Sequence, residues 1–101
     1  MLFVVFNVDR PDGAAEIRAR ERPAHLAFMK SLGESVQAGG PLFSDDASQA
    51  FGGMYILEAQ SREQAAAIAS QDPYAKANLF IRQYIQPWKW NTRRPEYVPV
   101  W

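Results

Sequence analysis

The sequence predicts an α+β fold: an antiparallel sheet in the ferredoxin-like order βαββαβ, paired with a second copy as a dimeric α+β barrel. Three observations predict it. The chain has 101 residues, 48% hydrophobic and 22% charged, which suits one domain with one core and excludes a mainly disordered chain. Short β-type apolar runs alternate with helix-period segments in that order, each bounded by Gly, Pro, Asp or Ser. The first and third strand segments are apolar on both alternate faces, as central strands are, although two helices cover only one face of such a sheet.

Residues 2–8 place Leu2, Val4, Phe6 and Val8 on one face and Phe3 and Val5 on the other; Asp9, Pro11, Asp12 and Gly13 end the strand. Residues 14–32 are helical. His25, Phe28, Met29 and Leu32 recur at i, i+3, i+4 and i+7, one face of a helix. Pro23 predicts either two short helices, the second opening with Pro23 at its first position, or one kinked helix. Gly33 is the stop. Residues 35–43 form the second strand, where Gly39-Gly40-Pro41 marks a bulge or a sheet edge. Residues 44–50 are a polar loop, and residues 54–59 form the third strand. Ser61 with Gln64 three residues on is a capping box, opening a helix to about Ser70. Asp72-Pro73 breaks the chain before one helical turn over residues 73–78, and residues 79–87 form the fourth strand.

The domain is assigned to residues 1–90, and residues 91–101 to a C-terminal tail. The second face of the sheet, left bare, exceeds the apolar patch a monomer tolerates. A second copy is expected to cover it, with the tail aromatics Trp88, Trp90, Tyr97 and Trp101 packing at that homodimer contact.

Lysine plus arginine and aspartate plus glutamate number 11 each, so the chain is neutral and a nucleic-acid partner is disfavoured. Lys89, Arg93 and Arg94 interleave with Trp88, Trp90 and Tyr97, a pattern assigned to packing rather than to a single-strand platform. There is no Cys and one His, which excludes disulfides, thiol nucleophiles and any two-His metal site within one chain. No metal and no cofactor are expected. Without a basic leader or a run of about 20 apolar residues, the expectation is a cytoplasmic protein with no membrane contact.

Two residues stand out as candidates for chemistry. Histidine as a residue type exchanges protons near neutrality, so His25 suits general acid–base work. With Pro23 at a helix start it falls in the first turn, where the helix dipole favours the neutral ring. Arg22 and Arg18, three and seven residues before it, share that face and suit an anion. The other account of His25 is a core-bordering side chain bonded to a carbonyl. Asp72 precedes Pro73, so it caps the next turn; alternatively it receives the second ring nitrogen of His25 and fixes its tautomer. Ser44 and Asp45 are candidates for the mouth of a site, although a solvated turn also accounts for them.

Arg22-Pro23-Ala24-His25-Leu26, Ala38-Gly39-Gly40-Pro41-Leu42, Asp72-Pro73-Tyr74 and Pro87-Trp88 occur in that order. Together they resemble the YciI-like (YCII-related) domain family over residues 1 to about 90. The resemblance implies the dimeric α+β barrel and a His and an Asp as a catalytic pair in a pocket, at the positions of His25 and Asp72. It also implies that acid–base elimination is within reach of this scaffold. Two functions follow as expectations. One is a small cofactor-independent enzyme acting on an anionic or phenolic molecule by elimination or isomerisation. The other is a non-catalytic module that binds a small molecule or supports an assembly. A monooxygenase of the related barrel class, with His25 on haem, is a third and less supported reading.

Overall fold

In the computed structural model the described residues are 1–98; the expected packing of Trp101 lies outside them. The elements are β1 (Leu2–Asp9), α1 (Ala14–Ser31), β2 (Val36–Phe43), β3 (Ala50–Glu58), α2 (Arg62–Ala69), α3 (Pro73–Lys76) and β4 (Phe80–Trp88), with a 3-10 turn at Gly33–Ser35. The four strands run antiparallel in the order β2-β3-β1-β4. The strands apolar on both faces are therefore the central ones, and the fold is α+β and ferredoxin-like. Among the described residues no helix is long and apolar enough to cross a membrane.

Alternate residues of β1 and β3 build the main core. Phe3, Val5, Tyr55, Leu57 and Ile85 pack beneath Ala65 and Ala69 of α2, with Met29 and Leu32 of α1 at the margin. Burying side chains the size of Phe3, Val5 or Leu57 stabilises the fold by roughly 1.5–3 kcal/mol each. Ser61 caps α2 by accepting from Gln64 N–H at 3.0 Å, while Gln64 Oε1 accepts from Gln60 N–H at 2.6 Å, one residue upstream of the usual box.

Three expectations are resolved by the structure. Of the two alternatives at Pro23 the single helix holds: α1 is one helix of 18 residues with Pro23 inside it, not two short helices. Pro23 and Ala19 are both exposed, so the carbonyl that Pro23 leaves without a helical donor faces water. The third strand begins at Ala50 rather than Met54, because Gly52 and Gly53 belong to the ladder, opposite Val8 and Asn7. A Cβ at Gly52 would stand 2.3 Å from Asn7 O, so a signal that resembles a turn is a close backbone approach within a strand.

The third expectation concerns the second face of the sheet, which is not left wholly bare by its own chain. Leu2 and Ile56 are buried under Val98 of the tail, with Trp88 and Trp90 packed around them. The other half of that face stays open at Phe6 and Tyr84, whose rings meet edge-on at 6.1 Å.

Candidate active site

Beyond the apolar core, the helix-facing side of β1 turns polar: after Phe3 and Val5 come Asn7 and Asp9, both buried. The described residues include three buried polar or charged residues, Asn7, Asp9 and Asp72, and all three belong to one corner of the molecule. There α1 passes over the sheet and leaves a cavity of about 380 Å3, the size of a small-molecule site. Its floor is Asn7, Gly53 and Tyr55, and its roof Arg22, His25, Leu26 and Met29.

Asp9 is matched by Arg18, whose Nε and Nη2 donate to the two carboxylate oxygens at 2.6 and 3.0 Å; Nη2 also donates to Gly52 O at 2.9 Å. Burial works against the Arg18 charge, and Asp9 more than offsets it, so the group is held above its ordinary range. This guanidinium also lies 5.2 Å from the centre of the Tyr74 ring. Arg18 lines the cavity with its charge already paired to Asp9. Arg22 is different: it is exposed at the cavity and has no hydrogen-bond or ion-pair partner among the described residues.

Asp72 is 1% exposed. Its Oδ1 accepts from Tyr74 N–H at 2.9 Å, capping α3, and lies 2.8 Å from His25 Nδ1. The two accounts of Asp72 therefore hold together: it is the cap and the histidine's partner. A carboxylate can only accept, so the neutral ring carries its proton on Nδ1, leaving Nε2 as the basic nitrogen with no partner among the described residues. Tyr74 stacks on the ring at 4.0 Å between centroids and 14° between planes. Orientation is thus set from two directions.

The expected helix-start placement of His25 is corrected, since the residue lies mid-helix in α1, away from either end of its dipole. Ser44 and Asp45 do not line the cavity. They belong to the β2–β3 loop, where Ser44 Oγ is spent donating to Asp46 Oδ1 at 2.8 Å and accepting from Gln49 N–H.

Sequence reasoning missed Asn7, Tyr55 and Tyr74. Asn7 was legible as the polar interruption of an apolar strand, and Tyr74 as the neighbour of Asp72-Pro73. Tyr55 carries no sequence signal, since an aromatic residue in a central strand suits the core equally well.

The fold and the corner define a class: ferredoxin-like α+β proteins with a His–carboxylate pair at a small cavity. The pattern of the YCII-related domain matches residues 1–89, and the chain belongs to that family. It is 33% identical to the proteins YciI of Escherichia coli O6:H1 and of Shigella flexneri, over 88% of this chain and 97% of theirs. Among solved structures it is similar to 5-chloro-2-hydroxyhydroquinone dehydrochlorinase from Burkholderia phenoliruptrix AC1100, in complex with 2,5-dihydroxybenzoquinone. The TM-score is 0.82 and the identity 31%, over 94% of this chain and all of that one.

Proposed function

We propose that the protein is a small-molecule enzyme in which His25 and Asp72 carry out acid–base chemistry, elimination or isomerisation, on a compact anionic or phenolic substrate. The observation that supports this most is the 2.8 Å contact between His25 Nδ1 and Asp72 Oδ1, made beside a cavity to which Nε2 is free. A histidine sealed beneath side chains and bonded to backbone through both nitrogens would instead favour a passive module.

In this reading Nε2 takes a proton from a substrate C–H or O–H. The released electron pair forms the new double bond as the leaving group departs with its own pair, or reprotonation at another atom completes an isomerisation. Buried Asp72 stabilises the imidazolium that results, and Tyr74 keeps the ring in plane. Arg22 balances the negative oxygen of the substrate. The cavity's apolar walls, Leu26, Met29, Val36 and Phe80 among them, suit the faces of a ring. The similar dehydrochlorinase points the same way. We also propose that the chain works as a homodimer, a second sheet covering the open half of the face at Phe6 and Tyr84.

The test offers 5-chloro-2-hydroxyhydroquinone to the purified protein and follows chloride release and quinone absorbance. Wild-type turnover is expected, with His25→Ala reducing it by about a hundredfold or more. Equal turnover in the variant sinks the role of His25. Binding of 2,5-dihydroxybenzoquinone without turnover of any offered phenol favours the non-catalytic module.

A further inference from the structure

Among the described residues, two buried side-chain polar atoms have no hydrogen-bond partner: the Tyr55 hydroxyl and Asp72 Oδ2. One is a donor, the other an acceptor, and both residues line the same cavity. Each residue is nearly sealed, Tyr55 at 4% and Asp72 at 1% exposure. Leaving either group unmatched is costly, and more so for a charged carboxylate oxygen. Asp72 Oδ1 already serves both Tyr74 N–H and His25 Nδ1, so only Oδ2 remains for a further donor. Burial, and after it the charge of Asp72, push the Tyr55 phenol well up, so the hydroxyl keeps its proton.

We propose that Tyr55 is a positioning residue for the His25–Asp72 pair: its O–H reaches Asp72 Oδ2 through one enclosed water. The strand thereby holds the far side of the carboxylate while α1 and α3 hold the near side. By drawing charge toward Oδ2, Tyr55 tempers how tightly Asp72 holds a proton on His25. The inference rests on the proposed function in treating these two residues as a working pair.

The space Tyr55 occupies is itself reserved. Gly39 is its cross-strand partner, and a Cβ at Gly39 would stand 2.8 Å from Tyr55 Cβ. The titratable and charged groups around the pair are Arg18 and Arg22 on α1, Asp9 on β1 (held by Arg18), Tyr74 on α3 and Tyr55 on β3. Of these, Tyr55 combines an unpartnered donor with a place in the cavity that Asp72 also lines.

His25 is the single histidine of the chain, so its ring resonances report the pair by NMR without assignment and without substrate. Tyr55→Phe removes one oxygen and keeps the ring. The His25 titration midpoint is expected to move to higher pH, by about threefold or more in protonation constant, because Asp72 without its donor holds the imidazolium more tightly. In an Asp72→Asn background the same substitution is expected to move it hardly at all. No shift in the wild-type background, or an equal shift in both, overturns the proposal. A second measurement guards against loss of fold in the variant: with 3-fluorotyrosine at position 55, Asp72→Asn should displace the fluorine resonance and lower the ionisation midpoint. An unmoved resonance and midpoint also overturn the proposal. Neither reading depends on turnover, so failure of the proposed reaction and failure of this coupling are separate results.

Discussion

Asp72 and Asp46 make the same local contact at opposite levels of burial. Each carboxylate accepts from the backbone N–H two residues on, at 2.9 Å from Tyr74 and at 3.0 Å from Ser48. Such turns are a habit of aspartate and need nothing from the rest of the chain. At the hairpin the remaining partners are also local: the Ser48 and Ser44 hydroxyls donate to the same Asp46 oxygen at 2.7 and 2.8 Å. At Asp72 the second partner comes from another element, His25, which is 47 residues away in sequence. One aspartate closes a wet turn; the other becomes half of a pair at a cavity. The difference lies in what packs over the turn.

The largest effect separating the two should come from removing each carboxylate's charge. Asp72→Asn is expected to lower the proposed turnover by about a hundredfold or more, since the imidazolium loses its counter-charge, while Asp46→Asn leaves it within about twofold of wild type. Comparable losses in both variants would dissolve the distinction. Asp72→Ala also strips the partners from Tyr74 N–H and His25 Nδ1–H in a buried corner. A loss of roughly 2 kcal/mol or more in denaturant unfolding is expected there.

The two arginines of α1 offer a second contrast, smaller in activity and larger in stability. Arg18→Gln leaves Asp9 buried without its bidentate partner and is expected to cost about 3 kcal/mol of stability. Arg22→Gln should leave unfolding nearly unchanged and raise KM for an anionic phenol by roughly tenfold. If Arg22→Gln instead destabilised the fold and spared KM, the assignment of the free cation would fail.

The smallest effect belongs to the hairpin. The Ser48 hydroxyl, the Ser48 N–H and the Ser44 hydroxyl hold the Asp46 carboxyl at about 2, below its ordinary 3.8. A depressed carboxylate pKa means that this group's contribution to stability is present above the ordinary value. It is lost as pH falls through about 2. Carboxyl carbon NMR should show the low midpoint, and Ser48→Ala should move it back toward 3.8; a midpoint already near 3.8 in the wild type would remove the contribution.

Much of the fold was legible because its signals are short-range. The alternation in residues 2–8, the Ser61–Gln64 box, the Gly33 stop and the helical face of His25, Phe28, Met29 and Leu32 all appear where the pattern puts them. What the pattern left open or misplaced shares a cause as well. Pro23, which left one helix or two undecided, and Gly52-Gly53 are local punctuation, and tertiary context decides both: an exposed helix side tolerates the proline, and a close strand crossing requires the glycine at 52. Trp90, in a stretch without periodicity, was expected to pack at a partner, and it lies with Val98 against its own sheet.

The site divides in the same way. His25, Asp72 and Arg22 are residue types whose chemistry a sequence declares, and Asp72-Pro73 announces its cap. Ser44 and Asp45 have equally suitable chemistry, but a two-strand hairpin carries them away from the cavity. Arg18 differs from Arg22 only in that Asp9 of β1 stands beside it. Sequence by itself determined the strand order, the single titratable imidazole and the local turn at Asp72, because these depend on neighbours along the chain. Tertiary structure decided which carboxylate meets the imidazole, which arginine stays free and that Tyr55 and Asp72 line one cavity. Those depend on burial and on distances across elements, where a few ångströms separate a paired charge from an idle one.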